Sequence, residues 1–244
     1  MKSRWLIALG MMLGVTTALS AQDRRAHLGA PVQQAGYVEV PIDGGHKQAA
    51  YVPQPGDILL YDDFNPLFHF AFWVAHTAPP THTAIVIARE DGSTASLELT
   101  GPKVLTAKVC LVDVEPRLAH YPGIVMVRRL RQPLTADQSR ELSRFAQAQV
   151  GKSFAVGRVA LQATLLSPRF GLGRCLFGHT SLDRDRWFCS ELVVAACATC
   201  GVLDPRAHCA NALYPRDLAV DETLDLSRWY HPPVVWGLQG SAAR

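Results

Sequence analysis

The sequence predicts an α+β domain in which an antiparallel sheet packs on helices. Three observations carry this. Short apolar runs separated by turn residues fill the stretch from Asp57 to Arg129. Two segments with helical spacing and recognisable ends follow it. Strands therefore come first and helices second, the order of an α+β chain. The size fits: 244 residues, 48% hydrophobic and 18% charged, supply one sizeable core or at most two small ones.

Taken in order, residues 22–50 are polar and broken by Pro31, Gly36, Pro41, Gly44 and Gly45, and read as a tether with one short strand at Tyr37–Val40. Ile58-Leu59-Leu60-Tyr61 follows Pro55-Gly56 as a buried strand that opens the domain. Between Phe64 and Pro80 the chain is aromatic-rich, and is either a helix or a loop over a pocket. His82–Ala88 reads as a strand, Glu90-Asp91-Gly92 as a turn, and Ser96–Leu99 as the returning arm of a hairpin. Val109–Val114 and Ile124–Arg129 complete the strand series. Thr135 caps a helix whose apolar positions are Leu142, Phe145, Ala146 and Val150, ending at Gly151. A Gly- and Arg-rich connection through 170–178 leads to a second helix, from about Phe188 to Gly201. No internal repeat is evident.

The amino terminus has the layout of an export signal. Lys2 and Arg4 precede an apolar stretch from Trp5 to Val15, and small residues follow, with Ala18 and Ser20 fitting cleavage after Ser20 or Ala21. A spanning helix needs about 20 apolar residues, which this run reaches only by counting Thr16 and Thr17. Residues 1–21 are therefore read as a cleaved signal, and the mature protein as periplasmic or extracellular, without stable membrane insertion. The net charge of +3 includes Lys2 and Arg4 and leaves 22 basic against 21 acidic residues once they are removed. A protein that binds nucleic acid by neutralising phosphates is normally far more basic, so nucleic acid is not an expected partner.

Six cysteines, Cys110, Cys175, Cys189, Cys197, Cys200 and Cys209, are compatible with disulfides outside the cytoplasm. Cys197 and Cys200 lie on one helical face, and either could pair with Cys209 or Cys175. The Cys-x-x-Cys pair lacks a clean second ligand pair for zinc. No metal and no cofactor are expected.

Chemistry concentrates at Trp187-Phe188-Cys189-Ser190-Glu191-Leu192. A cysteine in the first turn of a helix feels the unsatisfied N–H groups and the positive end of the dipole, which favour thiolate over thiol. A thiolate is the nucleophile that attacks an acyl carbon; a buried cysteine that merely packs is the alternative. His82, at the start of its strand, can take and return a proton near neutral pH. Glu98 lies between Leu97 and Leu99 in the neighbouring strand, so its side chain faces away from theirs and could reach His82 to orient the ring.

Pro55-Gly56-Asp57-Ile58-Leu59, His82-Thr83-Ala84-Ile85-Val86, Glu98, Phe188-Cys189-Ser190-Glu191-Leu192 and Tyr214-Pro215-Arg216-Asp217-Leu218 together resemble the circularly permuted NlpC-type cysteine hydrolases, the YiiX/YebB-like group of papain-fold enzymes. The resemblance spans about residues 53–220. It implies a permuted papain-like (NlpC-type) fold over 51–225, with 226–244 as a tail. It also implies Cys189 as nucleophile, His82 as base and Glu98 as the orienting residue, with Asp57 and Glu191 structural.

The activity expected is a thiol hydrolase of amidase or peptidase type, acting through a Cys189 thioester on cell-wall peptide (peptidoglycan) or another amide. The alternatives are a lipid acyl hydrolase or acyltransferase similar to lecithin:retinol acyltransferase, and a non-catalytic binding protein on the same scaffold. Segment 64–80 could wall a cleft for an acyl chain or another apolar group, with Phe68, Phe72 and Trp73 as candidate substrate-binding residues; Trp187, beside the Cys189 turn, is a further candidate. The same segment could equally be a helix packed on the sheet.

Overall fold

The computed structural model describes residues 36–42, 45–162, 164, 167 and 178–238. The expected signal (1–21), the first part of the expected tether, Cys175, nearly all of the 170–178 connection and the last residues of the expected tail lie outside the described residues.

The chain forms β1 (Gly36–Ile42), β2 (Gly45–Ala50), β3 (Ile58–Asp62), α1 (Pro66–Val74), β4 (His82–Ala88), β5 (Thr94–Thr100), β6 (Lys108–Asp113), α2 (Val114–Ala119), β7 (Ile124–Arg128), α3 (Ala136–Gln149), β8 (Ser153–Phe154), α4 (Val156–Gln162), β9 (Arg186–Trp187), α5 (Cys189–Thr199) and β10 (Val234–Leu238). The strands make one sheet in the order β2-β1-β10-β7-β3-β4-β5-β6-β8-β9. Every pairing is antiparallel except β8 with β9. The fold is thus the α+β arrangement the strand-then-helix order predicts.

Alternation along the strands divides the core. Ile58, Leu60, Ile85, Ile87 and Leu97 belong to one cluster with Leu142 and Phe145 of α3 and the buried run Leu192–Ala198 of α5. Leu59, Tyr61, Ala84 and Val86 belong to a second cluster with Val114 and Leu118 of α2. The period of two sets this up: neighbouring residues of a strand serve opposite faces. His82 shares a face with Ala84 and Val86, and Glu98 lies opposite Leu97 and Leu99 in facing. The cysteine-bearing helix therefore packs on one face while the histidine and the carboxylate stand on the other, and they meet at the end of the sheet where β4 begins.

The helix ends follow local chemistry. Thr135 and Gln138 form a reciprocal capping box at the start of α3, and Gly151 and Gly201 take positive φ after α3 and α5. Within segment 64–80, Pro66–Val74 forms helix α1, begun by Pro66 and by Asn65, whose Oδ1 accepts from the Leu67 and Phe68 amides.

Three parts of the fold differ from the sequence reading. Residues 36–50 form the β1–β2 hairpin at the sheet edge, more than the single short strand expected within a tether. β10, from the expected tail, lies between β1 and β7, burying Val38 beside Val234 and Trp236. α2, α4 and the two-residue strands β8 and β9 were not expected; their pairings and packing are long-range, and no local period marks them.

Gly123 permits close approach at the β7–β3 end, since a Cβ there would lie 1.9 Å from the Asp62 carbonyl oxygen. Gly123→Ala must push apart the strand end that leads into α1. The expected loss is about 1–3 kcal/mol, the scale of overpacking, read as a lower urea midpoint with an unchanged m-value.

Candidate active site

Cys189 is the first residue of α5, after an extended Phe188 whose side chain makes no cap. Its immediate neighbours hold it in place. Ser190 Oγ donates to the Leu213 carbonyl at 2.6 Å. The fully buried Glu191 carboxylate lies 2.7 Å from Arg158 Nη2 and 2.9 Å from Arg184 Nε. Beyond this turn the helix is buried almost throughout, with Ala195, Ala196 and Ala198 allowing close contact with the sheet. Cys189 itself stays partly exposed. The result is a thiol at a fixed, accessible helix start.

Cys189 hydrogen-bonds the His82 side chain. The ring's Nε2 lies 3.0 Å from Glu98 Oε2, so Nδ1 is the nitrogen left for the sulfur. The register explains the reach: β4 and β5 pair Ile85 with Leu97, and extending it sets Glu98 beside Ala84, one same-face position from His82. Diagonal neighbours of this kind are within range of long side chains, and Ala84 leaves the space open. His82 keeps 21% of its side chain exposed, while Glu98 has none.

Glu98 is saturated. Oε1 accepts from Ser96 Oγ at 3.2 Å and Arg117 Nε at 3.1 Å, and Oε2 takes Arg117 Nη2 at 3.0 Å in addition to the imidazole. The Arg117 guanidinium lies 5.3 Å from the Tyr61 ring centre and 5.4 Å from that of Tyr121. Tyr61 in turn stacks on His82 at 5.6 Å and 28°. Burial opposes charge on Glu98, but the Arg117 cation and the His82 hydrogen bond outweigh it and hold the carboxyl down at about 2. Burial likewise opposes the imidazolium, yet hydrogen bonds to Cys189 and Glu98 raise His82 to about 9. The geometry thus favours a protonated ring between sulfur and carboxylate through the neutral range.

The structure brings Cys189, His82 and Glu98 together; the four expected substrate-binding residues fare differently. Trp187 is a correction: it is fully buried, donates Nε1 to Gln149 Oε1 at 2.9 Å and packs edge-on against Phe145. Alternation in β9 turns Arg186 outward and Trp187 into the core, so Trp187 does not line a cleft. Phe72 is half-buried against Tyr214 at 6.2 Å, and Tyr214 follows Leu213, the acceptor of Ser190. α1 therefore spans from the end of β3, where His69 Nε2 lies 2.7 Å from Asp62, to the Cys189 side of the molecule. Phe68 is also half-buried, whereas Trp73 is 57% exposed and sits beside Phe70 on the outer surface. Asp57 has the structural role expected: buried, it accepts from Tyr51 Oη, the Gln54 amide and Arg129.

Arg117, Tyr61 and Tyr121 escaped sequence reasoning. Arg117 lies in a helix of six residues that starts Val-Glu-Pro, and nothing local distinguishes it from the other arginines. Cys189, Cys197, Cys200 and Cys209 are free thiols. Burial pushes the Cys200 thiol up to about 11 and the Cys197 thiol higher still, which suits packing groups and not nucleophiles. Among the described residues no group of three or more His, Cys, Asp or Glu could hold a metal ion, and no helix is long and apolar enough to cross a membrane.

No protein-family model and no curated protein matches the chain. A solved structure does: the crystal structure of metalloprotein yiiX from Escherichia coli O157:H7, DUF1105, is similar at 21% sequence identity with a TM-score of 0.42, over 63% of this chain and 69% of that one.

Proposed function

We propose that the protein is a cysteine hydrolase that cleaves an amide through a thioester on Cys189. The observation that carries this is the hydrogen-bonded line Cys189–His82–Glu98, with its sulfur end accessible and its carboxylate end sealed. In the first half-reaction the Cys189 sulfur bonds to the acyl carbon, the C–N bond breaks, and the His82 proton passes to the departing amine. In the second, His82 takes a proton from water, the hydroxide adds to the thioester, and the C–S bond breaks to release the acid. The developing oxyanion is held by the Cys189 N–H, which has no intrahelical acceptor. An imidazole raised to about 9 suits an amine leaving group, which departs only when protonated.

A cleaved signal at 1–21 would carry such an enzyme outside the cytoplasm, and this expectation supports the peptide amides of the cell wall as the substrate. One observation favours a second reading. Phe64, Leu67, Phe70 and Trp73 are exposed large apolar side chains on or beside α1, and between Phe64 and Pro80 there is no Asp, Glu, Lys or Arg. An apolar helix beside the site suits an acyl lipid. The mature protein should be incubated with peptidoglycan and with phospholipid vesicles, each beside Cys189→Ala. New amino groups from peptidoglycan support the amidase; free fatty acid from the vesicles transfers the same chemistry to lipid. Neither, with a reactive Cys189, directs the search to other amides; an unreactive Cys189 ends the catalytic reading.

A further inference from the structure

We propose that Arg117 is a positioning residue, a fourth member of the Cys189–His82–Glu98 line, whose two-pronged clamp keeps Glu98 ionised and aimed at His82. The inference rests on the reading of Cys189 and His82 as nucleophile and base, and deepens it. Four features support it. The guanidinium engages both carboxylate oxygens, through Nε at 3.1 Å and Nη2 at 3.0 Å, a fork that fixes the plane of the carboxylate as well as its charge. Among the described residues Ser96 and the imidazole are the other side-chain donors to Glu98, so without Arg117 the wholly buried Glu98 would keep one neutral donor and His82. The guanidinium rests against both Tyr61 and Tyr121, whose rings touch each other with centres 4.9 Å apart, so the clamp has a defined place. Tyr61 also stacks on His82, so the ring that steadies Arg117 steadies the base too.

Charge balance gives the reason for a cation at this point. With the sulfur as thiolate and the ring as imidazolium, Glu98 would add an uncompensated buried negative charge. Arg117 neutralises it without displacing the imidazole: Oε2 accepts from both Arg117 Nη2 and His82 Nε2, while Arg117 Nε holds Oε1. A neutral residue in its place leaves burial as the main influence on Glu98, and burial favours the protonated acid. A protonated Glu98 no longer holds an imidazolium. The titratable and charged groups around Glu98 are His82 of β4, Cys189 of α5, Arg117 of α2, Tyr61 of β3 and Tyr121 after α2, with Cys110 of β6 its cross-strand partner. Asp62 and Asp63 lie behind Tyr121.

The test uses the rate of Cys189 alkylation by iodoacetamide from pH 4 to 9 in the full mature protein, for wild type, Arg117→Met and Arg117→Lys. Met keeps an aliphatic stem against the tyrosine pair, and Lys keeps the charge but loses the fork. For Arg117→Met the rate at pH 7 should fall about 10- to 100-fold, the scale of losing an outer partner of an oriented histidine, and the acid limb should move to higher pH. For Arg117→Lys the acid limb should stay near the wild-type position while the rate recovers only in part. A merely structural role would lower thermal stability in both variants without moving the acid limb. Wild-type rate and pH profile in folded Arg117→Met overturn the inference and leave the Cys189–His82 reading intact. An unreactive wild-type Cys189, or labelling indifferent to His82→Ala, overturns the underlying reading instead. If Arg117→Met does not fold, Arg117→Lys decides: full wild-type rate there shows that the fork is not needed, and a reduced rate with an unmoved acid limb supports the clamp.

Discussion

Brief iodoacetamide treatment of the mature protein without reductant should label Cys189 ahead of Cys197, Cys200 and Cys209, and should do so below pH 7. Cys197 and Cys200 are buried and their thiols are pushed well above the ordinary range, so they stay unlabelled while the fold holds. Cys209 is partly exposed and should be labelled after Cys189. His82→Ala removes the partner that Cys189 hydrogen-bonds, and the low-pH labelling should vanish while labelling near pH 9 survives. For turnover the consequence is larger. Cys189→Ala should abolish hydrolysis, a loss on the order of 10⁶ in kcat by analogy with nucleophile removal in a serine hydrolase, with the fold unchanged because the residue is neither buried nor a cap. Mass spectrometry of the labelled peptides decides the first claim and a substrate digest the second. A Cys189 that is inert at every pH, or disulfide-bonded in the purified protein, would leave the binding-scaffold reading standing.

Much of this site was legible because each part has a local signature. Cys189 stands where an extended residue hands over to a helix. Glu98 alternates with two leucines, so its facing follows from the period of a strand. The turn at Gly92 sets β4 against β5, and that register alone brings Glu98 within diagonal reach of His82. Arg117 has no such signature. Its contacts are made 19 residues away in sequence and across a sheet face, and a short helix opening Val-Glu-Pro has too few turns to show a period. The Trp187 expectation fails for a related reason: closeness to Cys189 in sequence does not bring a side chain to the site. In a two-residue strand the side chains of neighbours go to opposite sides, so Trp187 supports α5 from the core. β10 and the β1–β2 hairpin are joined to the sheet by pairings that begin far apart in the chain, which no local pattern reports.

The second large effect is expected from Glu98→Gln, which keeps the shape of the side chain and removes its charge. His82 then loses the anion that helps to raise it to about 9, so its titration should fall back toward the ordinary 6.5, and the alkaline limb of turnover, which needs the His82 proton for the leaving amine, should move down with it. Stability should change with a definite pH pattern. In the wild type Glu98 is lowered from 4.5 to about 2, so its contribution is present above the ordinary carboxylate range and is lost as pH falls through 2. His82 is raised, so its contribution is complete below 6.5 and is lost as pH rises through 9. Both contributions are whole only between roughly 4.5 and 6.5, and there the gap between wild type and Glu98→Gln should be widest. A fully buried pair broken on one side costs roughly 3–5 kcal/mol. Here Arg117 and His82 remain 28% and 21% exposed, and water screens the charges left behind, so about 2–4 kcal/mol is expected. Urea unfolding at pH 3, 5.5 and 9.5 measures it. A gap that does not depend on pH would mean that the glutamine disturbs packing alone, and that the charge on Glu98 does not hold the imidazolium.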